Sequence, residues 1–238
     1  MATDDDKPVA ATGKSGTLRA AIFGVNDGLV SNLSLIMGVT GAGVGNRVIL
    51  LAGVAGLMAG AFSMAAGEYI SMRTQREVFE RLIHLEAHEL ATEPEEEREE
   101  LIEIYRNKGV PADIAEQLVE VLHRDPDLAL ETHAREELGL DPQSGLGSPW
   151  GAAGSSFVTF AFGAIVPLIP FMVGSGVAAA LAAIAASAVT LFAVGAAMSI
   201  LTGKRFYTSG VRMLLVGAVA AGITYGVGRL LHVGGATV

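Results

Sequence analysis

The chain of 238 residues is 51% hydrophobic and 17% charged, with a net charge of −9 and a mean hydropathy of +0.47. Soluble domains carry about 25% charged residues, so this composition describes a membrane protein. The lack of any Cys excludes disulfides, thiolate metal sites and thiol catalysis. The acidic balance argues against nucleic acid as a partner, because a nucleic-acid surface must be basic.

The charge is unevenly spread. Between Arg73 and Asp141 lie 20 of the 25 acidic residues, 4 of the 5 histidines and 8 of the 16 basic residues, which leaves that stretch at −12 and the remainder at +3. The expected fold is an all-α membrane protein of five spans, with an acidic helical domain inserted between the second and third. The expected divisions are a mobile amino-terminal tail over 1–17, two spans over 18–72, the cytoplasmic acidic domain and its linker over 73–150, and three spans over 151–238. No cleavable signal is expected, since the first apolar run begins near Leu18 and is long enough to span.

The first span, over 18–41, contains Gly24-Val25-Asn26-Asp27-Gly28. Asp27 is roughly 13 Å along the helix from Leu18, near mid-membrane, where a carboxylate must face water or protein. Gly24 and Gly28 form a small-xxx-small face for close helix approach. The second span, over 48–72, repeats such a face at Gly53, Gly56 and Gly60. It carries Met64, Glu68 and Met72 on one stripe, because residues four apart share a helix face. Asp27 and Glu68 are the acids within the spans. Without Pro or Gly over 72–92, the second helix should run on into the acidic domain, with Glu86 on the side of Glu68 if it stays straight.

In that domain Glu86 and Glu89 are neighbours at i, i+3. Thr92-Glu93-Pro94 ends one helix and starts the next, in which Glu97 and Glu100 repeat the pair. Asn107-Lys108-Gly109 stops it. A third helix from Val110-Pro111 to about His123 is expected to bury Ile114, Leu118, Val121 and Leu122. Asp125-Pro126 caps a fourth, carrying Glu131, His133, Glu136 and Glu137. Residues 139–149 form a turn-rich linker. Three further spans follow over 155–174, 177–201 and 211–231, the first of them kinked by Pro167 and Pro170. Lys7, Lys14, Arg19, Lys204, Arg205 and Arg212 fall on one side and Arg47 and Arg229 on the other. The positive-inside rule therefore makes the amino terminus and the acidic domain cytoplasmic.

Carboxylates and imidazoles without thiolates suit Mn²⁺ and Fe²⁺, and they also accept Zn²⁺. Glutamate pairs on two helices joined by a short turn can converge on an ion. The alternative is a solvated acidic surface, as on most Glu-rich helices, but the intramembrane acids favour metal. A membrane-anchored di-iron oxidase would use two Glu-x-x-His pairs, and only Glu120 to His123 has that spacing. A metal-responsive scaffold would leave Asp27 and Glu68 without a purpose.

Gly24-Val25-Asn26-Asp27-Gly28-Leu29-Val30-Ser31 closely resembles the first-helix signature of the vacuolar iron transporter family. Ala61-Phe62-Ser63-Met64-Ala65-Ala66-Gly67-Glu68-Tyr69-Ile70-Ser71 and Gly163-Ala164-Ile165-Val166-Pro167-Leu168-Ile169-Pro170-Phe171 are similar to its second- and third-helix motifs. The resemblance, to a bacterial-type member, implies no enzyme and no resident cofactor. It implies instead a homodimer in the cell (inner) membrane, with a pore between the two first helices, that exports Fe²⁺ or Mn²⁺ from the cytosol against inward protons. It maps transport residues onto Asp27, Met64 and Glu68, and cytoplasmic metal-binding glutamates onto Glu86, Glu89, Glu97, Glu100 and Glu137. Gly16 and Ala20 stand where some members carry acids, and His133 and Ala134 where some carry methionines.

Overall fold

A computed structural model of the chain describes residues 14–140, 147–203 and 205–231. The expected tail over 1–13, part of the linker (141–146) and Lys204 lie outside the described residues. Nine helices occur among those described: α1 (Lys14–Gly41), α2 (Asn46–Thr92), α3 (Pro94–Asn107), α4 (Ala112–Leu122), α5 (Pro126–Glu136), α6 (Pro149–Ile165), α7 (Ile169–Val173), α8 (Gly176–Thr202) and α9 (Phe206–Leu231). The chain divides into two compact units, one centred on residues 71–147 and the other on 15–70 with 148–238. The continuous α2 contributes residues to both.

In the larger unit α1, α2, α8 and α9 are long and apolar enough to cross a bilayer. Their outer surfaces carry bare apolar side chains, among them Leu51, Phe62, Val177, Leu181, Val219 and Ile223, the reverse of a water-soluble bundle. The core joins Leu33, Ile36 and Met37 of α1 to Ile49 of α2, Leu168, Phe171 of α7, Ala179 and Ala183 of α8 and Ala221 of α9. The rings of Tyr69 and Trp150 meet at a tilt of 51°, with centroids 4.7 Å apart.

The third expected span is not one helix. Pro167 has no N–H to offer, and the backbone tightens into three-residue turns: Val166 N–H donates to Gly163 O (3.3 Å) and Leu168 N–H to Ile165 O (3.0 Å). Helix α6 therefore ends at Ile165 and α7 begins at Ile169. The paired prolines break this segment rather than kink it.

The glycine faces are occupied within the chain. A Cβ on Gly24 would meet Ser156 O at 2.9 Å, and one on Gly163 would lie 3.0 Å from Leu29 N, so α1 and α6 touch backbone to backbone. Gly53 faces Leu168, Gly56 faces Leu35 and Asn32, and Gly60 faces the Phe160 ring. These faces therefore bind helices of the same chain and do not themselves argue for a second copy.

The smaller unit is assembled by its breakers. Pro94 opens α3, and Pro126 opens α5 behind Asp125, whose carboxylate accepts from Asp127 N–H (3.0 Å) and Leu128 N–H (3.5 Å). Gly109 and Gly139 take left-handed φ of +92° and +64° just past α3 and α5, a conformation glycine adopts without a Cβ penalty. Helix α4 packs on α3 and α5, but through Ala115 and Val119, which are buried. Ile114, Leu118 and Val121 are exposed. The expected buried face is thus rotated: two apolar stripes lie side by side, and the one bearing the smaller residues admits the neighbouring helices.

Candidate metal centres

The acidic unit gathers its charge at one point. Glu86 of α2, Glu97 of α3 and His133 of α5 are buried, and with the more exposed Glu137 just past α5 they bring one ligand atom each to within 4.8 Å of one another. His133 Nδ1 lies 3.0 Å from Glu86 Oε1, 3.4 Å from Glu97 Oε2 and 3.6 Å from Glu137 Oε2. These are short distances without hydrogen-bond geometry: Nδ1 and Glu86 Oε1 are both buried polar atoms without a hydrogen-bond partner. Orphaned buried atoms of this kind call for a partner, and three carboxylate oxygens with one imidazole nitrogen make a donor set for a divalent ion.

The other ring nitrogen of His133 is engaged. Its Nε2 sits 3.1 Å from His123 Nε2 at the end of α4. One of two nitrogens at this distance must carry the proton. Since Nδ1 donates to none of its carboxylate neighbours, the consistent tautomer has His133 Nε2–H donating to His123. That leaves the Nδ1 lone pair facing the carboxylates, the arrangement by which an outer partner orients a ligating histidine.

The electrostatics follow from crowding and burial. Desolvation, then the charge of Glu137, push the Glu86 carboxyl up to about 7. The same two causes push Glu97 up to about 6, and burial followed by Glu100 raises Glu137. Burial, with His123 adding to it, lowers His133 to about 4, so its imidazole is neutral at neutral pH. Burial also lowers His123. Burial and crowding thus make these three carboxyls hold protons more readily than free ones, and a cation binding there would compete with those protons.

Of the five glutamates expected here, the structure brings Glu86, Glu97 and Glu137 together. Glu89 and Glu100 are exposed and act through their charge on the cluster. His133 joins this cluster although sequence reasoning had not placed it there. The available signal was its position four residues before Glu137.

In the membrane unit Asp27 and Met64 line one cavity of about 320 Å³, together with Ser31, Asn32, Gly56 and Ser63. Asp27 is exposed, as are Phe23, Ser31 and Leu35 at four-residue steps along the same stripe of α1. Glu68, one turn beyond Met64, is half-buried on α2 and is not among the residues lining this cavity. Met72 is buried. Asn32, which sequence reasoning also left aside, is 2% exposed.

The helices and their outward apolar surface define an integral membrane protein, one that carries a compact acidic helical unit. The chain belongs to the VIT family, whose model matches residues 18–229. It is 35% identical over 235 residues to the vacuolar iron transporter of Acanthamoeba castellanii, covering 96% of this chain and 84% of that protein. Over 219 residues it is 31% identical to vacuolar iron transporter 1 of Oryza sativa subsp. japonica, covering 90% and 85%. Over 239 residues it is 30% identical to the vacuolar iron transporter of Toxoplasma gondii, covering 97% and 79%.

Proposed function

We propose that this protein is a transporter, not an enzyme, that exports Fe²⁺ or Mn²⁺ from the cytosol in exchange for inward protons. The acidic unit captures the ion on the cytoplasmic side, and Asp27, Met64 and Glu68 belong to the path through the membrane. The convergence of Glu86, Glu97, His133 and Glu137 carries this reading, since four ligand atoms within 4.8 Å is a spacing one cation can satisfy. The names of the relatives support a metal as the cargo.

Two copies work together in the cell membrane. Asp27 and Ser31 lie exposed on a membrane-spanning helix, and a carboxylate facing lipid costs several kcal/mol or more. A second copy of α1 across a twofold axis would cover that stripe and place the two Asp27 side chains on a shared aqueous path. Proton coupling then has a simple origin. Glu86 and Glu97 of the acidic unit hold protons more readily than free carboxyls, and an arriving cation releases them.

The test is stopped-flow flux in proteoliposomes holding the full chain, with one dye for metal and another for pH. Transport gives saturable movement of Fe²⁺ or Mn²⁺ with opposite movement of protons. No flux above that of empty vesicles for either ion overturns the reading. Consumption of O₂ and oxidation of Fe²⁺ without flux would instead identify a di-iron oxidase.

A further inference from the structure

The break between α6 and α7 has a consequence inside the membrane. In an unbroken helix the carbonyl of Ala164 would accept from the N–H of Leu168. That N–H instead donates to Ile165 O. The orphaned Ala164 carbonyl is taken by a side chain: Asn32 of α1 donates through Nδ2 at 2.6 Å. A carboxamide is planar, so fixing the nitrogen on Ala164 fixes the oxygen on the opposite side. Asn32 Oδ1 is buried and has no hydrogen-bond partner among the described residues. It points toward Gly56, where an added Cβ would come to 3.0 Å of it. Asn32 and Gly56 both line the cavity that holds Asp27 and Met64.

An unpartnered buried carbonyl oxygen is destabilising, the more so in hydrocarbon, where no water is at hand. A cation in the cavity would satisfy it. We infer that Asn32 Oδ1 is a ligand for the transported cation inside the membrane, completing a site with the Asp27 carboxylate and the Met64 thioether. This rests on reading that cavity as part of the ion path. Its chemistry is a neutral hard oxygen beside one anionic oxygen and one soft sulfur. Asn32 therefore favours Mn²⁺, the harder ion, and Met64 favours Fe²⁺.

The experiment compares Mn²⁺ and Fe²⁺ flux in proteoliposomes for the intact chain, Asn32→Leu, Gly56→Ala and Asp27→Asn. Asn32→Leu removes the carbonyl and should raise the half-saturating Mn²⁺ concentration about tenfold, the scale of a lost supporting group at a metal site, with a smaller rise for Fe²⁺. Gly56→Ala keeps the Asn32 amide but sets a methyl against Leu35 and Asn32 Oδ1, and should shift the two ions in the same order, even if Asn32→Leu does not fold. Equal losses for both ions, or an unchanged ratio in Gly56→Ala, would mean that Asn32 only ties α1 to α6, and the inference falls. Asp27→Asn separates the two failures. If it carries metal at the intact rate, the path itself is misassigned. If it is inactive while the Mn²⁺ to Fe²⁺ ratio ignores Asn32 and Gly56, only the Asn32 assignment is wrong.

Discussion

The two units offer a cation opposite kinds of site. The acidic unit crowds three glutamates around one imidazole and ranges further acids outside them. The membrane cavity has a single carboxylate, with an amide and a thioether beside it. Solvation accounts for the contrast. Outside the membrane, mutual repulsion among crowded carboxylates is relieved by protonation. Within a bilayer each added charge costs several kcal/mol, so affinity there must come from neutral donors already in position. The acidic cluster can thus be rich in charge, whereas the membrane cavity must be poor in it.

The sharpest way to break this comparison is to remove the one charge in the cavity. Asp27→Asn should reduce flux to the level of empty vesicles while cation binding by the acidic cluster, measured on the full chain by calorimetry, stays intact. Loss of both would show that the two sites do not act separately. Next in size, Glu86→Gln combined with Glu97→Gln should weaken that calorimetric binding by about a hundredfold, the upper end of what losing even a supporting group causes. Flux at saturating metal should change less.

Protons should sharpen the contrast further. With Glu86 at about 7 and Glu97 at about 6, binding at the cluster should tighten as pH rises through this range, by up to about tenfold per pH unit for each proton displaced. Stability of the cation-free protein should move the other way. Both acids hold protons more tightly folded than at their ordinary 4.5, so their contribution is complete below that value and is lost as pH rises through 6 and 7. His133, lowered from 6.5 to about 4, opposes this below pH 6.5, because unfolding there lets it take up a proton. The decline should therefore show most clearly as pH rises above about 6.5, where Glu86 loses its proton and His133 no longer opposes it. A thermal melt that rises across that interval would contradict the buried cluster.

The smallest effects should come from the outer acids. Glu89→Gln or Glu100→Gln should weaken cation binding by no more than about fivefold, as expected of exposed charges. A loss as large as that of Glu86→Gln would restore both to the ligand set.

Much of this was legible in the sequence. The breakers at Pro94, Pro111 and Pro126 divide the acidic unit correctly, and the absence of Pro and Gly over residues 72–92 correctly carries α2 on to Thr92. An i, i+3 spacing places Glu86 and Glu89 on neighbouring positions of one helix. Which of them turns inward depends on where α3 and α5 pack, and only Glu86 does. On α4 the stripes 114–118–121 and 115–119–122 are both apolar, so periodicity cannot choose between them. Asn32 was hidden for another reason. Its importance arises from a carbonyl 132 positions away, set free by a proline.

The broken segment also fixes what can move. Asn32 holds the Ala164 carbonyl, and Asn46, at the start of α2, donates to the Phe171 carbonyl at 3.0 Å. Two helices are thus pinned to the two sides of one break. Sliding α1 would strip the buried Ala164 carbonyl of its donor, at about 4–6 kcal/mol for such a bond in an apolar medium. Such a barrier makes the break an anchor rather than a hinge. The segment that looks weakest in the chain is thus held on both sides.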